Sequence, residues 1–154
     1  MTDVVNTGSV YMSIPSECDT AALGGHLDVL KANSTLRVLT EWTCRAAALN
    51  GHIDVLQWLR SQNCPWNEWT CWAAAINGHL DVLKWIMAQD PPCPWASETY
   101  YAAALGGHLD VLKWVKSQNP SCTWSTLTCS EAAKGGHLDV LKWARLGPLE
   151  NKCP

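Results

Sequence analysis

The 154-residue chain contains no phenylalanine, yet it holds ten tryptophans. Its large aromatic volume therefore comes from one residue type, and that imbalance calls for a local explanation. Charge is also scarce: Asp, Glu, Lys and Arg make up 16% of residues, with a net charge of −3. A nucleic-acid binder normally carries a basic stripe, none runs through this sequence, and no nucleic-acid partner is expected. No apolar run approaches the roughly 18 residues that a membrane span requires, so no direct membrane span is expected. The opening MTDVVNTGSVYMSIPSE lacks a basic stretch followed by an apolar one and does not read as a secretory signal. In that setting eight cysteines favour reduced thiols over a disulfide framework. These absences point to an intracellular, cytoplasmic protein, unless a transit peptide since removed directs it to an organelle. What is present is 47% hydrophobic composition, enough for one domain to fold without staples.

That composition is periodic. GHLDVLK occurs at 25–31, 78–84, 107–113 and 136–142, with GHIDVLQ at 51–57. All five histidines, His26, His52, His79, His108 and His137, lie inside this string. Counting back from each histidine, paired alanines stand five and four residues earlier, from Ala21–Ala22 to Ala132–Ala133. Eight residues earlier stand Cys18, Cys44, Cys71, Tyr100 and Cys129. Six residues later stand Trp58, Trp85, Trp114 and Trp143, with Ala32 in the first copy. A Cys-Pro-Trp element separates copies at 64–66 and 93–95, degrades to CTW at 122–124, and is cut short at Cys153-Pro154. The chain divides into an N-terminal extension (1–15), an array of about five units (16–146) and a tail (147–154) that begins a further unit.

Each unit reads as two helices. Asn67 or Ser125 suits the N-cap of the first, whose Cys, Ala, Ala spacing gives a narrow small-residue face, and Gly or Asn-Gly stops it. The second follows the histidine, with aspartate in its first turn where the helix dipole favours it. In the third unit this spacing predicts helices near 68–76 and 80–88, with a following proline such as Pro65 or Pro94 ending each second helix. One pair cannot bury its own apolar faces, so the pairs must stack into an all-α solenoid of helix-turn-helix units.

The Ala-Ala-x-x-Gly-His run followed by a Val-Leu helix resembles the ankyrin repeat, in a short-period variety found in algal and giant-virus arrays. The likeness spans roughly residues 16 to 146. The Thr-Pro-Leu-His opening of that family is absent, with Thr43-Cys44, Thr70-Cys71 and Thr128-Cys129 nearby instead. The period of 26 to 29 also falls short of the usual 33, at the expense of the turn that forms a projecting hairpin in the family. The resemblance implies a five-unit repeat fold and protein binding through helix faces rather than hairpins.

Several chemistries compete for the same residues. The Cys-x6-Cys pairs 64/71 and 122/129 invite a metal reading, but structural zinc sites draw paired ligands two to four residues apart. The cysteines are expected to act as small core hydrophobes, with no metal and no cofactor. The histidines repeat with the architecture, whereas a catalytic constellation is asymmetric, so no enzyme is expected. Each histidine is expected in the turn, bonded to backbone at the start of the second helix. Lysines at 31, 84, 113 and 142 stand three residues after aspartates, which cancel their field. The tryptophans six after each histidine read as core, and Trp66, Trp95 and Trp124 as covers over the connecting loop.

The positions ten, seven and three before each histidine share one face of the first helix and vary between units. They read Trp42, Arg45, Leu49 in the second unit, Trp69, Trp72, Ile76 in the third, and Glu98, Tyr101, Leu105 in the fourth. Stacked side by side, Trp42, Arg45, Trp69, Trp72, Ile76, Tyr101 and Leu105 form a patch with the composition of an interface core. The expected function is a non-catalytic scaffold that binds a protein partner of unknown identity through the concave helix face. The alternative is a constitutive structural subunit embedded in a large assembly, since neither end unit shows the polar outer face that a free solenoid needs.

Overall fold

A computed structural model describes residues 16–32, 39–94, 97–118 and 126–146. The described residues form ten α-helices, two per unit: α1 Glu17–Leu23 and α2 Leu27–Ala32, α3 Glu41–Leu49 and α4 Ile53–Ser61, α5 Glu68–Ile76 and α6 Leu80–Met87, α7 Ser97–Gly106 and α8 Leu109–Gln118, α9 Thr126–Lys134 and α10 Leu138–Leu146. The third unit's helices end within a residue of their predicted limits. Asn67 caps α5 as expected, its side chain accepting the Trp69 N–H at 3.1 Å, while Ser125 lies outside the described residues.

The first helices stack in chain order, α1 on α3, α3 on α5, α5 on α7 and α7 on α9, and each also packs on its own second helix. The second helices meet one another only thinly. Small side chains explain the asymmetry, because cysteine and alanine let helices approach closely. Cys44, Ala47 and Ala48 of α3 and Cys71, Ala74 and Ala75 of α5 are completely buried. The second helices contribute the larger core side chains, among them Val55, Leu56 and Leu59 of α4 and Val82, Leu83 and Ile86 of α6. Each is worth about 1.5–3 kcal/mol when fully buried.

The turn between paired helices is a Schellman motif, and it shows why the alanines come in pairs. In the third unit the Gly78 N–H donates to the Ala75 carbonyl at 3.2 Å, and the His79 N–H donates to the Ala74 carbonyl at 2.9 Å. Gly78 holds φ at +76°, the left-handed region that glycine adopts without penalty. The histidine side chain departs from expectation. Rather than bonding the second helix of its own unit, His79 Nε2 donates to the Leu49 carbonyl of the preceding unit at 3.1 Å. His52, His108 and His137 do the same to Leu23, Ile76 and Leu105. A carbonyl can only accept, so Nε2 carries the hydrogen in every one of these bonds. The ring therefore joins neighbours, where the sequence reading confined it to one turn.

The same ring fills the space above the preceding glycine. A Cβ placed on Gly78 falls 2.4 Å from His108 Nδ1, whereas one placed on Gly136 meets none of the described residues within 4 Å. The tryptophans six after the histidine also differ from expectation. Trp58, Trp85, Trp114 and Trp143 are half-buried and lie over the core, and the fully enclosed position is one further on, at Leu59, Ile86, Val115 and Ala144. An indole six residues on points to the rim of the helix pair, where its apolar body is covered and its edge is wet. Trp95 and Trp124 lie outside the described residues. Trp66 meets the edge of Trp85, centroids 6.1 Å apart, and Arg60 lies over it at 4.1 Å.

A row of buried threonines precedes the cysteine row. Thr43 donates to Asp19 Oδ1 of the preceding unit at 2.7 Å and accepts from the Thr40 N–H at 3.3 Å. Thr70 and Thr99 are equally buried, and their hydroxyls have no hydrogen-bond partner. The residues in the place of Asp19 are Arg45 and Trp72, neither of which supplies a side-chain oxygen.

Two stability comparisons follow from these contacts. In dilute solution Gly136→Ala should lose about 1 kcal/mol, the left-handed backbone penalty alone, and Gly78→Ala a further ~1–3 kcal/mol for displacing His108. Equal losses in urea titrations would show that the ring does not press on the glycine. Thr43→Val should lose about 1–2 kcal/mol, whereas Thr70→Val should be neutral or gain up to ~1 kcal/mol by removing an unpaired buried hydroxyl. Thermal melts of the two variants would reverse this conclusion if Thr70→Val were the more damaging.

Candidate functional site

The first helices carry the variable face, and their stacking sets it side by side along the row. Trp42 and Trp69 are 57% and 43% exposed, although indole rings are among the side chains that most gain from burial. They stand on consecutive first helices, α3 and α5, with Arg45 between them. The guanidinium carbon lies 4.8 Å from the Trp42 ring centroid, 5.7 Å from Trp69 and 5.4 Å from Trp72. Trp69 and Trp72 meet edge to face, centroids 6.2 Å apart at 65°. One arginine thus gathers three rings from two units. Such cation–π contacts contribute roughly 0.5–1 kcal/mol each where exposed.

Trp42 and Trp69 line an open groove of about 380 Å³ with Glu41, Arg45 and Asn67. Glu41 and Asn67 belong to this groove although the sequence reading missed them. The signal available was their N-terminal position: Asn67 is the N-cap of α5 and Glu41 opens α3, so both stand at the end where Trp42 and Trp69 emerge.

The other members of the expected patch take different environments. Trp72, Ile76 and Tyr101 are half-buried and pack against the core, and Leu105 lies at the edge of exposure. Ile76 and Leu105 also present the carbonyls that accept His108 and His137. The face the sequence reading treated as one surface therefore divides. Its N-terminal half, Trp42, Arg45 and Trp69, stands open, while its C-terminal half is tied into the stack.

The cysteines pair differently from their sequence spacing. Cys64 neighbours Cys44 rather than Cys71, and Cys71 neighbours Cys93, each pair joining a first helix to the loop that closes its unit. Cys64 and Cys93 also donate to the Thr40 and Asn67 carbonyls, at 3.2 and 3.1 Å. The partner thiol and then burial push Cys44 and Cys93 well above the ordinary thiol range, so both stay protonated and unreactive at neutral pH. Among the described residues no group of three or more His, Cys, Asp or Glu is placed to hold a metal ion. Cys18, Cys44, Cys64, Cys71 and Cys93 are free thiols. Cys129, expected reduced, is disulfide-bonded, and Cys122 lies outside the described residues. Among the described residues no helix is long and apolar enough to cross a membrane.

Thiol mapping checks this arrangement. The five free thiols should resist a disulfide reagent in the native protein and react promptly in denaturant, as read by mass spectrometry. A fast-reacting native Cys44 or Cys93 would contradict the buried pairs.

No known family model matches the chain, and no curated protein matches it.

Proposed function

We propose that the row of helix pairs is a solenoid of ankyrin type, acting as a non-catalytic module that binds a protein partner on the face formed by its first helices. The observation that carries this reading is the open groove in which Trp42 and Trp69 flank Arg45. Tryptophan and arginine are the residues most enriched among binding hot spots. Arg45, held among the rings, offers a guanidinium in this groove, which suits a partner's carboxylate. A stacked backbone fixes these side chains beforehand, so association costs little ordering of the receptor.

The absence of a catalytic role rests on how the titratable groups are used. Four histidines make one and the same bond to a neighbouring carbonyl, and one thiol of each cysteine pair, Cys44 and Cys93, is held protonated. Neither arrangement offers the asymmetric acid–base geometry that catalysis needs. A second reading, a structural subunit within a larger assembly, is favoured by one observation: Leu138 is 67% exposed on the last described unit.

Trp42→Ala combined with Trp69→Ala tests the first reading more cleanly than any change at half-buried Trp72. The double variant should lose most partner recovery in a cross-linking pull-down from the native source while keeping the wild-type helical circular dichroism spectrum. Undiminished capture by the folded variant would move the binding face elsewhere.

A further inference from the structure

The four junctions between units are built alike, and they specify what fits the end of the row. At each one an imidazole of the later unit sits on a left-handed glycine of the earlier unit. His52 sits on Gly25, His79 on Gly51, His108 on Gly78 and His137 on Gly107, with ring atoms 2.3 to 2.7 Å from where a Cβ would stand. Each ring also donates to the carbonyl three residues before the earlier unit's histidine. The fifth unit has both halves of this receptor. Gly136 holds φ at +75° with none of the described residues above it, and the equivalent carbonyl is that of Lys134. Around it, Ala133 is exposed where Ala22, Ala48, Ala75 and Ala104 are buried, and Leu138 is exposed where Ile53, Leu80 and Leu109 are half-buried.

The first unit presents the matching half. Among the described residues His26 is the histidine whose ring meets no such carbonyl, and it is exposed. Val29 is 40% exposed, whereas its equivalents Val55, Val82, Val111 and Val140 are completely buried. Gly24 precedes the Gly25-His26 turn just as Gly106 and Gly135 precede theirs, and those glycines lie against the carbonyls of Ile76 and Leu105. The first unit therefore has the glycine-glycine-histidine turn already used at two internal junctions. Charge agrees with this pairing: 16–32 holds three carboxylates and one lysine, and 126–146 holds two lysines and an arginine against two carboxylates.

We propose that the chain self-associates head to tail, the first unit of one copy docking on the fifth unit of another with His26 over Gly136 and its Nε2 donating to the Lys134 carbonyl. The contact continues the junction already made four times within the chain. It is heterologous, since the two surfaces differ, so each docked copy leaves a new free end and the association grows linearly. The proposal stands on the junction geometry and does not depend on what the tryptophan groove binds.

Sedimentation of the full chain should show species growing from 16.9 kDa to multiples of it as concentration rises. Two variants cap opposite ends. Gly136→Asn keeps a residue that tolerates the left-handed backbone and fills the receptor, and His26→Ala with Val29→Lys removes the incoming ring and adds a charge. Each should be folded by circular dichroism and monomeric alone, and the two mixed in equal amounts should form one-to-one dimers and nothing larger. A wild-type chain that stays monomeric at every concentration overturns the proposal, as it would if residues 147–154 of the same copy covered Gly136. Self-association that either variant leaves intact, or a mixture that stays monomeric, overturns it as well.

Discussion

The imidazole that crosses from one unit to the next is the contact on which the row depends. A glycine in the left-handed region ends each first helix and leaves a bare patch of backbone there. The next unit's histidine lies on that patch and reaches a carbonyl at the end of the same first helix. Hydrogen bonding and close packing are satisfied by one side chain in one place. That explains why every unit keeps both a glycine and a histidine at its turn while the spacing between copies drifts. The connecting loops absorb the difference in length, because the junction is set at the turn and not by the loop.

This arrangement also accounts for the unusual aromatic content. Stacking occupies the small-residue face of each first helix with cysteine and alanine, so the first helices add little apolar volume and the larger buried side chains come from the second helices. Large rings are then needed at the margins, and indoles with one wet edge suit that place better than phenyl rings. Trp58 and Trp85 cover the second helices from the side, Trp66 closes a loop under Arg60, and among the described tryptophans Trp42 and Trp69 project beyond what packing uses. The exposed pair stands out because the other described tryptophans have an evident structural use.

Much of the fold was legible in the sequence because its signals repeat. The glycine stops, the Asn67 cap, the alanine and cysteine rows and the limits of α5 and α6 all follow from local spacing. What stayed hidden depends on residues distant in the chain. The histidine bond runs about thirty residues back, to a backbone atom that carries no side-chain signature. Cys64 looked paired with Cys71, seven residues away, but helix stacking brings it to Cys44. The tryptophan position was misjudged by one residue, enough on a helix to turn a side chain from the interior to the rim. At the candidate site the spacing identified the right face and overestimated its extent, since Ile76 and Leu105 share that face but give their carbonyls to the stack.

The thin contact between successive second helices has a mechanical meaning. Bending the row by spreading its outer side stretches few contacts, because the load passes through the tightly stacked first helices. Bending it the other way must compress or part those helices at their alanines. A bend of the row would therefore pivot on the first helices, with the second helices and their half-buried tryptophans taking up the displacement. A change of curvature would then leave the spacing along the line of Trp42 and Trp69 nearly fixed.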